Sequence, residues 1–147
     1  MPKIMLKHIP KILSPELVKT LMEMGHGDEI VIGDGNFPSA AYAKRLVRCD
    51  GHGVPELLDA ILELFPLDTY VECPIALMEV AKGDTTPTPI IWDKYKIIVK
   101  KNEPTANKIE YIDRFAFYER AKEAYAIVAT SESAVYANII LKKGVVS

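Results

Sequence analysis

The chain has 147 residues, 49% hydrophobic and 26% charged, which suits one globular domain able to bury roughly 68 to 70% of its unfolded surface. Net charge is -2 at pH 7 and the pI about 5.9, so there is no basic surplus to neutralise phosphates or anionic lipid. Nucleic acid and a membrane are therefore not expected partners, and the longest apolar stretches, such as Cys73 to Ala81, fall well short of the roughly 20 residues of a membrane span.

Lys3, Lys7, His8 and Lys11 interrupt the apolar residues between Met1 and Leu13, which does not read as a signal peptide, and the expected location is the cytoplasm. Ser14-Pro15-Glu16 predicts a helix start, with Leu17, Leu21 and Met24 at helical spacing and Gly25 suited to the left-handed position past its end. Glu29 to Gly33 reads as a strand, apolar on both faces through Ile30-Val31-Ile32. Turn residues run from Gly33 to Pro38, Ser39 to Leu46 reads as helix, and Val47 to Cys49 as a brief strand. Cys49 and Cys73 lack a CxxC partner and read as two reduced thiols.

Pro55 to Phe65 predicts a helix with an apolar stripe of Leu57, Leu58, Ile61, Leu64 and Phe65, stopped by Pro66. Ile75 to Val80 reads as a buried strand, Lys82 to Pro89 as a surface loop, and Ile90 to Lys100 as a helix. A strand over Ile109 to Ile112 precedes a helix capped by Asp113 and running to about Ala124. Ala126 to Ala129 and Asn138 to Leu141 complete the strands. Alternating helices and apolar strands predict a single-domain three-layer α/β/α fold, residues 1–147, around a mostly parallel, mixed sheet. Gly33-Asp34-Gly35 lacks the third glycine of a dinucleotide fingerprint and the lysine of a P-loop, which removes both nucleotide motifs.

Several residues carry chemistry of their own. His26 lies between Gly25 and Gly27, where an imidazole that exchanges protons near neutrality can act as acid or base, or be a plain surface histidine. Asp34 ends the first strand at the edge where open α/β sheets bind ligands, and an Asx-turn role is equally open to it. Arg114 opens the run Arg114 to Arg120 and offers five donors, or a solvated ion pair with a nearby glutamate. Tyr136 and Asn138 flank Ala137 with both side chains on one side of the chain, as a ligand reader or as turn and strand-start residues. His8 and His52 have no spaced partner for a metal and read as surface residues.

Taken together, Ser14 to Leu17, Met24 to Glu29, Asp34 with Phe37-Pro38, Asp50-Gly51, Leu67 to Tyr70, Arg114 to Arg120 and Asn138 to Gly144 resemble the L-fucose mutarotase family, related to D-ribose pyranase. The resemblance spans about Leu6 to Val145. It implies that His26 is the catalytic proton donor and that Asp34, Arg114, Tyr136, Ala137 and Asn138 contact a monosaccharide; the Tyr136 phenol is a candidate second acid or base. It implies no metal and no other cofactor, since anomer exchange needs only proton transfer, and a ring-like homo-oligomer, a decamer, with sites near subunit contacts. The chain departs from the family pattern at Ala137, where glycine is usual and a positive φ would strain a methyl-bearing residue, and at Asn36, where some bacterial members carry histidine. Ribose pyranase activity and non-catalytic sugar binding are the alternatives to L-fucose mutarotation. His26 and Asp34 are eight residues apart, up to about 26 Å if fully extended, so one sugar meets both only if the chain folds back or two subunits share the site.

Overall fold

The structure, a computed structural model, describes residues 6–146; residues 1–5 and 147 lie outside it. In chain order the elements are α1 (Pro15–Glu23), β1 (Glu29–Gly33), α2 (Ser39–Tyr42), β2 (Leu46–Cys49), α3 (Val54–Leu62), β3 (Ile75–Met78), α4 (Ile90–Asn102), β4 (Ile109–Ile112), α5 (Arg114–Glu123), β5 (Ala126–Thr130) and β6 (Ile139–Lys142). The strands form one mixed sheet in the order β2-β5-β1-β6-β3-β4. β2, β5 and β1 are mutually parallel, as are β3 and β4, while β6 runs antiparallel between β1 and β3. The mixed α/β sheet read from the sequence is thus the observed one.

The apolar runs work because alternate residues serve opposite faces of the sheet. Ile30 and Ile32 of β1 join Ile75, Leu77, Ile139 and Leu141 under α1, α3 and α4. Val31, Ala76, Ile127 and Ile140 turn the other way and pack with Phe117 and Ala121 of α5. These residues are fully buried, each Ile, Leu and Val contributing about 1.5 to 3 kcal/mol by leaving water. Helices therefore cover both faces, as a sheet apolar on both sides requires.

Local signals set several boundaries. Ser14 Oγ accepts the Leu17 N–H at 3.1 Å and Pro15 opens α1. Asp113 caps α5 through the Ala116 N–H at 3.0 Å. Gly25, by contrast, is not left-handed; the positive φ falls on Gly27, at 89°, inside the turn into β1. The helix expected over Ser39 to Leu46 stops at Tyr42. The Arg45 carbonyl accepts the Ile127 N–H at 2.9 Å, and Leu46 already pairs with Ile127, so sheet pairing overrides helix continuation. Cys49 and Cys73 are free thiols at opposite ends of strands four positions, about 19 Å, apart across the sheet, and burial pushes the Cys49 thiol up to about 11. Among the described residues no helix is long and apolar enough to cross a membrane.

The topology also defines two sheet edges. Met78 pairs with Ile112, and Ile32 and Leu77 both face Ile139, so β1, β3 and β4 end where β6 begins. Ligands of open α/β sheets gather at such an edge.

Candidate active site

A cleft of about 320 Å³ opens at that edge and is lined by Asp34, Arg114, Tyr136 and Asn138, with Asn36, Tyr118 and Asp84 among its other walls. The volume lies at the small end of ligand pockets, and the concentration of polar groups suits a small hydroxylated ligand. Four of the residues singled out in the sequence thus meet in one place.

Asp34 directly follows β1 and Asn138 directly precedes β6, which brings them together across antiparallel strands. The Asp34 N–H donates to Asn138 Oδ1 at 2.7 Å. That bond orients the amide and leaves Nδ2 as its donor toward a ligand. Asp34 Oδ1 accepts the Asn36 N–H at 2.9 Å, so the Asx-turn and the ligand wall are one residue serving both purposes. Burial raises the Asp34 carboxyl above its ordinary value of 3.8, against the lowering effect of the Asn36, Phe37 and Ala137 N–H groups.

Arg114 is exposed at the first position of α5, and its Nε donates to the Tyr118 hydroxyl at 3.1 Å. A glutamate partner, the alternative reading, is not what holds it. One turn on, Phe117 is fully buried against the sheet and fixes the helix that presents the guanidinium. Tyr136 takes a left-handed backbone, φ 55°, which costs an L-residue about 1 to 3 kcal/mol. Its carbonyl accepts Trp92 Nε1–H at 2.8 Å and its hydroxyl bonds Asp84 and the Ala81 N–H. The strain anticipated at Ala137 therefore falls one residue earlier. Ala137 keeps an ordinary φ and is fully buried, so unlike Tyr136 and Asn138 it is not among the cleft walls; its N–H faces the Asp34 carboxyl and its carbonyl accepts the Tyr95 hydroxyl at 2.6 Å.

His26 does not join the cleft. It sits in the turn before β1, at the opposite end of a strand whose five residues span about 13 Å. The turn, closed by the Asp28 N–H to the Gly25 carbonyl at 3.1 Å, does not fold His26 back toward Asp34. Instead the imidazole Nε2 lies 3.0 Å from Oδ1 of Asp68 and packs edge-on against Tyr70, with ring centroids 4.7 Å apart. The imidazole side chain is 39% exposed, whereas that of Asp68 is 4%. Desolvation pushes the Asp68 carboxyl up, but the Tyr70 N–H, the His26 bond and the Lys142 charge together bring it below its ordinary value. An ionised carboxylate only accepts, so the bond places a proton on Nε2 and leaves Nδ1 as the exchangeable nitrogen.

The sequence reading missed Asp68 and Asp84. Each meets its partner only through the fold, 42 residues from His26 and 52 from Tyr136, and no spacing rule links such pairs. Asp68 did lie within the Leu67-Asp68-Thr69-Tyr70 block of the resemblance, the one signal that pointed to it.

Residues 7–146 match the RbsD / FucU transport protein family. The chain is 50% identical to an L-fucose mutarotase of Actinobacillus pleuropneumoniae, over 96% of this chain and 97% of that one. It is 48% identical to the human fucose mutarotase, over 97% and 95% of the two chains. Its fold superposes with a TM-score of 0.91 on a fucose mutarotase of Streptococcus pneumoniae solved in complex with L-fucose, at 58% identity over 97% of this chain and 100% of that one.

Proposed function

The chain belongs to the RbsD / FucU family, and from that premise we propose that it is an L-fucose mutarotase, an isomerase that interconverts the α and β anomers without a metal or other cofactor. One observation carries the reading. Asp34, Arg114, Tyr136 and Asn138 meet in one small cleft, in a chain 58% identical to a mutarotase solved with L-fucose. Sugar hydroxyls donate to the Asp34 carboxylate and accept from Asn138 Nδ2 and the Arg114 guanidinium, which fixes the ring for reaction. A proton arrives on the ring oxygen, another leaves the anomeric hydroxyl, the C1–O5 bond breaks, and the aldehyde rotates before the ring closes on its other face. Groups that give and take protons near neutral pH accelerate both transfers.

His26 supplies one of these transfers through Nδ1, with Asp68 orienting the ring and supporting the charge of its protonated form. Since His26 and the cleft occupy opposite edges of one sheet, the site is composite, the cleft of one copy receiving His26 from another. Exposed apolar side chains support this arrangement: Tyr70 beside His26 is 78% exposed, Phe115 beside Arg114 is 75%, and Val135 in the cleft wall is 57%. A closed homo-oligomer is the assembly that covers them, and the ring-like decamer implied by the resemblance repeats such a contact by symmetry. The free Cys49 and Cys73 thiols suit a reducing compartment, so we place the protein in the cytoplasm.

Magnetisation exchange between the anomers of L-fucose, with and without protein, tests the function. Faster exchange that EDTA leaves unchanged is expected, and sugar binding with no acceleration would instead support a non-catalytic binder. D-ribose in the same measurement separates out a pyranase.

A further inference from the structure

The turn after β3 brings a carboxylate to the cleft wall opposite Tyr136. The Asp84 N–H donates to the Ala81 carbonyl at 2.9 Å, and Gly83 takes the positive φ, 89°, that the tight turn needs. Asp84 Oδ1 accepts the Thr86 N–H at 2.8 Å and the Thr86 hydroxyl at 2.5 Å. Its other oxygen, Oδ2, accepts the Tyr136 hydroxyl. The Tyr136 oxygen in turn accepts the Ala81 N–H at 3.1 Å. A phenol has one proton to give, and here it is committed to Asp84. Toward a bound sugar, Tyr136 is left with an acceptor lone pair.

We propose that Asp84 is a positioning residue for anomer exchange: by holding the Tyr136 proton, it makes Tyr136 the group that takes the proton from the anomeric hydroxyl. The inference rests on the mutarotase reading. As the C1–O5 bond breaks, the anomeric proton passes to Tyr136 Oη, the phenol's own proton moves to Asp84 Oδ2, and doubly protonated His26 gives its Nδ1 proton to the ring oxygen. When the ring closes, the three transfers reverse and all groups regain their starting protons. The same bonds set the resting protonation. The Thr86 bonds, then the Tyr136 bond, hold Asp84 below its ordinary value, so it waits ionised. The Asp84 bond pushes the Tyr136 phenol above its ordinary value, so it waits protonated, with the Ala81 N–H opposing. Trp92 holds the strained Tyr136 backbone through the carbonyl bond, which keeps the phenol aimed at the turn.

The test is the rate of L-fucose anomer exchange for wild type, Asp84→Asn, Tyr136→Phe and the double variant. In Asp84→Asn an amide N–H2 can replace Oδ2, the phenol proton loses its acceptor, and kcat falls about tenfold or more, the scale of one charge-assisted hydrogen bond, with KM changed less than about threefold. Adding Asp84→Asn to Tyr136→Phe then costs little more, because the two residues act as one unit. A full-sized further loss in the double variant, or kcat within about twofold of wild type for Asp84→Asn, overturns the inference and leaves mutarotation standing. No exchange with wild type overturns both. Should Asp84→Asn fail to fold, a 13C-tyrosine titration of wild type decides. Tyr136 is expected to ionise above the ordinary tyrosine value, and titration at that value overturns the proposal.

Discussion

Replacing Asp68 with asparagine isolates what its charge contributes to His26. The carboxylate is nearly buried, and Oδ1 alone meets both His26 Nε2 and the Tyr70 N–H, each at 3.0 Å. An asparagine can keep an oxygen at that position, so both bonds persist and only the charge is lost. A charge-assisted bond exceeds a neutral one by about 1 kcal/mol, and the exposure of the imidazole keeps the difference at the lower end of its range. That difference predicts a loss of about fivefold in kcat for Asp68→Asn, with KM and thermal stability little changed. Asp68→Ala also leaves the imidazole and the Tyr70 N–H without their acceptor, at about 1 to 3 kcal/mol. Its Tm should fall by about 2 to 4 °C per kcal/mol, with a larger loss of turnover. Anomer-exchange spectroscopy at saturating L-fucose measures kcat, and scanning calorimetry measures Tm. Asp68→Asn within twofold of wild type would refute the argument that the carboxylate supports charge on His26.

Three further outcomes follow from individual sites. His26→Ala should reduce kcat by roughly 100- to 10,000-fold with an unchanged circular dichroism spectrum, since an exposed loop side chain supports little core. The Asp34 pKa is raised in the fold, so its ionised form carries a stability penalty that appears as pH rises from 3.8 through the folded value. Asp34→Asn should therefore lose less stability than wild type as pH climbs through that window in denaturant titrations, while binding L-fucose more weakly. A methyl group on Gly144 would lie 2.5 Å from the Leu67 carbonyl oxygen and 2.8 Å from Asp68 Cα. Gly144→Ala should cost about 1 to 3 kcal/mol in denaturant unfolding and reduce turnover by displacing the backbone that carries Asp68.

Local chemistry made much of the fold legible. Ser14-Pro15 and Asp113 act through the first turn of their own helices, and the alternate faces of Ile30, Val31 and Ile32 follow from strand geometry. The shortened α2 was not legible, because its end is decided by Ile127, a residue more than 80 positions away that draws Arg45 and Leu46 into the sheet. The strand from Ile75 ends at Met78 rather than Val80 because its partner strand ends at Ile112, whose carbonyl accepts the Glu79 N–H at 2.8 Å just before Asp113 starts α5.

The candidate site divides in the same way. Asp34, Tyr136 and Asn138 flank strand ends, so a sequence reading can place them at the ligand edge. Asp68 and Asp84 are ordinary loop carboxylates until the fold brings His26 and Tyr136 to them. The backbone strain expected at Ala137 falls on Tyr136, because the carbonyl bonds of Tyr136 to Trp92 and of Ala137 to Tyr95 fix the turn one residue earlier.

The central claim, an L-fucose mutarotase site completed by His26 from another copy of the chain, is tested most directly by mixing His26→Ala with Tyr136→Phe protein under conditions that exchange subunits. Each variant alone should be nearly inactive. Random mixing should restore about a quarter of the composite sites, those in which both contributing chains bring the intact residue. Anomer exchange of L-fucose returning to about that fraction of the wild-type rate is the predicted result. No recovery, with subunit exchange confirmed by mass spectrometry, would contradict the account and put both residues to work within one chain.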